Sequence, residues 1–230
     1  EDAVADEAAG LRLERDVLAA GGNAADAAVA TAFALAVVHP SAGNLGGGGF
    51  AIVRTAKDAR ALDFRETAPA AARPDMFDKA PKGASLRGDL ASGVPGTVAG
   101  LWELHRGRGK LAWKQVVAPA IALATDGFAI DPILHESLEG RLKRGPITGG
   151  VWSTGHATGE IVKQPELAAT LQLIADHGAE GFYAGAPARD IAAEMKRGGG
   201  LITEKDLRGY RAIWRDPVRV DYRGRHLITM

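Results

Sequence analysis

Gly43-Asn44-Leu45-Gly46-Gly47-Gly48-Gly49-Phe50 and, shortly after it, Asp63-Phe64-Arg65-Glu66 are the stretches on which the reading of this chain turns. Four consecutive glycines join a long apolar helical pattern to two strand-like runs. Glycine loses more conformational freedom on ordering than any other residue, so a run of four answers a steric need. Either the backbone passes through positive φ, or other chain or ligand lies directly against it. Arg65 stands at the end of the second strand-like run.

Working outward, Ala5 to Ala20 reads as a helix with Ala8, Leu11, Leu13, Val17 and Leu18 near one face. Gly21-Gly22 ends it. Asn23 is a good N-cap for the next helix, and Asp26 in its first turn suits the helix dipole. That helix, Ala24 to Val38, is apolar almost all round and is expected to be buried on most sides. His39-Pro40 stops it. Phe50 to Thr55 and Ala61 to Arg65 read as the strands of a hairpin turning at Lys57-Asp58. The glycine run is therefore expected to turn the buried helix tightly into a core strand.

Residues 73–89 lack any period and read as a surface loop. Helices are expected from Thr97 through His105, over Trp113–Thr125, Leu134–Arg144, Gln164–His177 and Ala186–Arg197, with a short helical turn opened by Thr203. Gly145 to Gly159 reads as a glycine-rich loop. Val218–Tyr222 and His226–Met230 are strand-like. Strands near both ends and helices between them do not make the alternating pattern of a doubly wound sheet. The last strand runs to the end of the chain without a closing element, which leads to the expectation of a partial domain over residues 1–230.

Composition narrows the chemistry. The 230 residues are 46% hydrophobic and 24% charged, with 28 basic and 28 acidic side chains. That balance does not point to nucleic acid. Arg106-Gly107-Arg108-Gly109-Lys110 reads as a solvated turn. The absence of cysteine excludes disulfides, thiolate zinc sites and a cysteine nucleophile. No apolar run reaches the ~18 residues of a membrane span. The chain opens on Glu1-Asp2-Ala3 without methionine, so an upstream segment is expected.

Gly46, Gly48 and Ala51 satisfy a loose dinucleotide-loop spacing. Such a loop must follow a strand and open a helix, and here the order is reversed. No serine lies in a G-x-S-x-G elbow, and the His39/Ser41 neighbours read as an ordinary helix end. The histidines show no metal-ligand spacing. Asp63 and Arg65 would share a strand face and could simply pair, a contact worth only ~0–1 kcal/mol at a surface.

Several motifs together carry a resemblance. Gly21-Gly22-Asn23-Ala24-Ala25-Asp26-Ala27-Ala28, His39-Pro40-Ser41-Ala42-Gly43-Asn44-Leu45-Gly46-Gly47-Gly48-Gly49-Phe50 and Asp63-Phe64-Arg65-Glu66-Thr67-Ala68-Pro69 occur in order. Ser92-Gly93-Val94-Pro95-Gly96-Thr97, Gly199-Gly200-Leu201-Ile202-Thr203-Glu204-Lys205-Asp206-Leu207 and Asp221-Tyr222-Arg223-Gly224 follow. In these the chain resembles the γ-glutamyltransferase (glutathione hydrolase) family over almost its whole length, and matches the N-terminal part of the large subunit.

The resemblance implies an α+β fold, the αββα four-layer sandwich of N-terminal-nucleophile hydrolases. It implies a precursor that cleaves itself into two subunits. The new N-terminal threonine of the small subunit then attacks a γ-glutamyl amide, with its own α-amine as base. That threonine lies outside this chain, so no catalytic residue is expected here and the chain by itself is expected to lack amidase activity. The obligate partner is the small subunit from the same precursor, expected to complete the sheets and cover the Ala24–Val38 helix. The one substrate contact that maps is Arg65, which in the family binds the α-carboxylate of the glutamyl group. No cofactor or metal is implied. Beside the family pattern, Gly145–Gly159 looks short. Relatives acting on β-lactam side chains or on poly-γ-glutamate, and a non-catalytic truncated fragment, are the alternatives. A periplasmic or secreted setting is the family's usual one.

Overall fold

The structure, a computed structural model, describes residues 5–145, 147 and 149–230, with side chains from residue 12 onward. Pro146 and Thr148 in the expected 145–159 loop, and the Ala8 and Leu11 side chains assigned to the first helix face, lie outside what is described. In chain order the elements are α1 (Ala5–Ala19), α2 (Ala24–Val38), β1 (Phe50–Arg54), β2 (Ala59–Asp63), α3 (Thr97–Arg108), α4 (Trp113–Asp126), β3 (Phe128–Ala129), α5 (Pro132–Leu142), β4 (Ile161–Val162), α6 (Pro165–His177), α7 (Glu180–Tyr183), α8 (Gly185–Gly198), α9 (Glu204–Gly209), β5 (Ile213–Arg215), β6 (Val218–Tyr222) and β7 (Arg225–Thr229). They fall into two compact units, residues 1–44 with 105–178, and residues 45–104 with 179–230. No helix among the described residues is long and apolar enough to cross a membrane.

The first unit is helical and is built around α2. Its Val29, Ala30, Phe33 and Val37 are fully buried, because α1 and α4 both lie against it. The covering expected from a partner subunit is thus supplied by this chain's own helices. Of the α1 face, Val17 is buried but Leu18 is half exposed. Val116, Val117 and Ala120 of α4 and Leu171 and Ile174 of α6 extend the same core.

A buried carboxylate fixes the start of α2. Asn23 caps the helix through its side chain and Asp26 returns a bond to the Asn23 N–H, 2.8 Å. Asp26 is wholly inaccessible, and it also accepts from the N–H groups of Lys110 (3.0 Å) and Leu111 (3.3 Å). The Asn23 amide donates to the Arg108 carbonyl, 2.7 Å. His105 lies 3.4 Å from Asp26, donates through Nε2 to the Leu111 carbonyl at 3.0 Å and tilts against Trp113. The 106–110 run is not the turn expected: Arg106 to Arg108 are the last residues of α3, and the backbone of Arg108 and Lys110 closes on the N-terminus of α2. An ionised acceptor with several N–H donors is strongly held, and losing it strands those donors.

The described residues 149–159 include local structure that their glycine content hides. A 3-10 turn at Val151–Ser153 sets Val151 and Trp152 on a small cluster of Ile130, Leu134 and Val162. His156 donates through Nε2 to the Val151 carbonyl (2.7 Å) and meets a Glu160 carboxylate oxygen through Nδ1 (2.7 Å). Burial works against the imidazolium, but those two partners outweigh it and raise the His156 pKa. The β3–β4 pair and β5 escaped the sequence reading, since two or three residues carry no usable period.

In the second unit β1, β2 and β5 form an antiparallel sheet in that order, with Phe50 opposite Asp63 and Leu62 opposite Trp214. The strand that follows the glycine run lies at the edge of this chain's own sheet. β1 is an edge strand with Phe50 and Ile52 half exposed, while β2 is central and buries Ala59, Ala61 and Leu62. Among the described residues β6 and β7 pair only with each other, and they are exposed along most of their length.

Replacing Asp26 by Asn keeps the shape but turns an amide N–H toward backbone donors. We expect the full protein carrying Asp26→Asn to lose roughly 3 kcal/mol of stability, read as a lowered denaturation midpoint.

Candidate functional site

The site is the short crossing from β2 to the segment before α3. β1 and β2 stay paired one step beyond the strands, through Phe64 N–H to the Gly49 carbonyl (3.0 Å) and Gly49 N–H to the Phe64 carbonyl (3.2 Å). Three residues later the chain has changed partner. Thr67 and Val94 exchange both backbone bonds, 3.2 and 2.8 Å. Arg65 and Glu66 bridge the two ladders. Arg65 therefore lies beyond β2 rather than at its end, because the Val94 segment captures the chain there.

Glycines make room for this crossing. None of Gly46 to Gly49 has positive φ, so of the two steric needs the close approach is the operative one. A Cβ on Gly48 would come within 2.6 Å of the Phe64 carbonyl oxygen and 2.8 Å of the Glu66 nitrogen. One on Gly49 would meet the Phe64 ring at 3.0 Å. On Gly96 it would land on the Phe64 carbonyl and the Tyr210 hydroxyl, and on Gly100 in the Phe64 ring. Gly46 has nothing within 4 Å and shows no such need among the described residues. The Gly47 carbonyl accepts from the N–H groups of Gly96 (2.7 Å) and Thr97 (3.0 Å), donors at the start of α3 that the helix ladder does not use. The glycine run thus meets a helix N-terminus through its own carbonyl, the donors a phosphate would otherwise need.

Arg65 is held by its backbone and exposed at its side chain. Its N–H donates to Asp63 Oδ1, 3.1 Å, and its carbonyl accepts from the Tyr210 hydroxyl, 2.8 Å. The expected alternative of an Asp63–Arg65 side-chain pair is not formed. Asp63 Oδ2 takes Arg215 Nε at 2.8 Å from the neighbouring strand β5. The Arg65 guanidinium has no hydrogen-bond or ion-pair partner among the described residues. A planar cation left open on a fixed backbone suits bidentate capture of a carboxylate.

Residues far along the chain complete the support. Tyr210 lies flat against Tyr183, rings 5.8 Å apart and 7° from parallel. Tyr183 donates to the Pro95 carbonyl (2.8 Å) and accepts from the Ala99 N–H (3.3 Å). Burial, together with the nearby charges of Asp63 and Glu66, pushes the Tyr210 pKa up to about 12, so it is a neutral donor near pH 7. Asp206, within the α9 capping box, accepts from the Ala70 N–H at 2.9 Å. Burial disfavours its charge, but the bonds from Thr203 and Ala70 prevail and lower its pKa. These tyrosines were not singled out in the sequence, since nothing local marks a ring that acts 145 residues away.

His39 and Ser41 do meet, 3.2 Å apart, at the end of α2 in the other unit. No group of His, Asp and Glu suited to a metal occurs among the described residues.

A sequence model of the Gamma-glutamyltranspeptidase family matches residues 12–230. The chain belongs to that family. It is 44% identical over 226 residues to a glutathione hydrolase proenzyme of Pseudomonas aeruginosa, covering 96% of this chain and 41% of that protein. The corresponding proenzyme of Escherichia coli is 43% identical, with 94% and 39% covered. Among solved structures, the crystal structure of Helicobacter pylori gamma-glutamyltranspeptidase superposes with a TM-score of 0.90 at 43% identity, over 96% of this chain and 67% of that one. Cephalosporin acylase from Bacillus halodurans superposes with a TM-score of 0.87 at 32% identity, over 95% and 44%. The chain spans about two fifths of the length of the curated relatives it matches. Its helices and small antiparallel sheets are the α+β fold of an N-terminal-nucleophile hydrolase of this family.

The glycine cradle makes a sharp expectation. Gly96→Ala forces a methyl group onto the Phe64 carbonyl, which is backbone and cannot step aside. We expect a loss of roughly 3 kcal/mol in stability, seen as a lower melting temperature. Gly46→Ala, where the space is open, should melt close to the parent.

Proposed function

We propose that this chain is the N-terminal part of the large subunit of an enzyme that cleaves γ-glutamyl amides, and that Arg65 binds the α-carboxylate of the glutamyl group. On this reading residues 1–230 make a single partial domain, completed by the small subunit of the same precursor. The carrying observation is the Arg65 guanidinium, open to solvent while both sides of its backbone are tied down. Its membership of the family and its likeness to glutathione hydrolase proenzymes support the reading.

The chemistry divides between two chains. The threonine nucleophile and the donors that steady its oxyanion lie on the small subunit. The threonine oxygen attacks the δ-carbonyl carbon, the C–N bond breaks, and the amine leaves with a proton. The glutamyl ester then passes to water or to an amino acid or peptide. Arg65 does not touch the bond that breaks. It fixes the opposite end of the glutamyl group, which converts a free encounter into an oriented one. Two parallel N–H···O bonds from one guanidinium set both position and rotation of the carboxylate.

The exposed edge strand β1, with Phe50 and Ile52 open, is the place this reading gives to the covering subunit. An unpaired strand edge is a liability in a finished protein, and pairing or cover removes it. The likeness to cephalosporin acylase favours one rival, the same scaffold working on another acyl group. Profiling the full enzyme on γ-glutamyl and β-lactam side-chain amides separates the two.

In the full-length enzyme, Arg65→Ala should lower kcat/KM on γ-glutamyl-p-nitroanilide by roughly 2–5 kcal/mol, the range for truncating one partner of a buried charge pair. Arg65→Lys should recover only part, because an ammonium keeps the charge and loses the fork. Unchanged kcat/KM in Arg65→Ala would sink the assignment.

A further inference from the structure

An exposed arginine has many rotamers, and it can hold a carboxylate in one place only if its own backbone is fixed. Here that fixing is delegated. The Arg65 N–H is taken by Asp63 and its carbonyl by Tyr210, so the two peptide groups flanking its Cα are each anchored. We propose that Tyr210 is a positioning residue for Arg65, acting with Asp63 to aim the guanidinium at the substrate carboxylate. The inference rests on the proposed role of Arg65 and names the device that makes that role specific.

Several independent features converge on this one hydroxyl. Gly96 leaves the space it occupies, since a Cβ there would collide with it. The ring is locked by its parallel stack on Tyr183, and Tyr183 is in turn bonded to Pro95 and Ala99 on either side of Gly96. Tyr210 is the residue directly after α9, whose capping aspartate Asp206 also ties down Ala70. The second anchor is fixed from β5, where Arg215 holds the other oxygen of Asp63. Each end of the 63–70 segment is thus fastened by the 203–215 stretch. A misplacement of about 1 Å in such a support can cost on the order of a hundredfold in rate.

A merely structural tyrosine would affect activity whether or not Arg65 is present. A positioning tyrosine acts only through Arg65. The test uses full-length enzyme and γ-glutamyl-p-nitroanilide, with Tyr210→Phe, Arg65→Ala and the double variant. Phenylalanine keeps the stacked ring and removes one oxygen. We expect Tyr210→Phe to raise KM about tenfold with kcat within about threefold, and to change kcat/KM less than about twofold in the Arg65→Ala background. An unchanged KM, or the same loss in both backgrounds, overturns the proposal. If Arg65→Ala is itself as active as the parent, the reading of Arg65 fails, and this inference with it. Should Tyr210→Phe melt well below the parent, Asp63→Asn takes its place. It acts on the other side of the same residue, and its effect must likewise vanish without Arg65 or the proposal falls.

Discussion

The carbonyl oxygen of Phe64 occupies the volume in which any residue other than glycine at position 96 would place its β-carbon. That one close approach governs the second unit. Gly96 lets the crossing segment lie on the start of α3, and Gly100, one turn on, receives the Phe64 ring. From the other side Gly48 and Gly49 admit the same segment, while the Gly47 carbonyl satisfies the N–H groups that open α3. Without side chains at these positions, backbone meets backbone. The crossing residues then have little freedom to shift, and the backbone of the exposed Arg65 is held by what surrounds it.

The two units solve the same problem with opposite chemistry. In the first, a buried carboxylate gathers backbone donors from two segments. Asp26 closes the cap of α2 and takes the N–H groups of Lys110 and Leu111. In the second, glycines remove bulk so that backbone can pair directly. Either way a helix N-terminus is satisfied by chain distant in sequence. Both devices use polar groups that are costly to bury unpaired, so each makes one arrangement far better than its neighbours.

Much of this was readable in advance. Asn23 and Asp26 announced the cap of α2, because capping depends on residues three apart. The Ala24–Val38 helix was legible from its apolar run. The hairpin and the place of Arg65 near its end followed from two short strand-like runs and a turn. Which strand forms the edge of this chain's sheet was not legible: it is β1, with Phe50 and Ile52 half exposed, since the number of paired neighbours is not written in a strand's own sequence. Within the loop read at 145–159, glycine hides the 3-10 turn that seats Trp152.

The sequence by itself determined the longer helices, the first hairpin, the cap of α2, the family and the single arginine to watch, since these rest on local periodicity and on motifs kept in order. Only the tertiary structure decided what the glycines are for and what holds Arg65 in place. The chain could as well have turned through positive φ, and Asp63 could as well have paired with Arg65. It is the meeting of Gly96 with Phe64, of Arg215 with Asp63 and of Tyr210 with the Arg65 carbonyl that settles both. Those contacts join residues that no local rule connects, because a hydrogen bond depends on distance in space and is blind to separation along the chain.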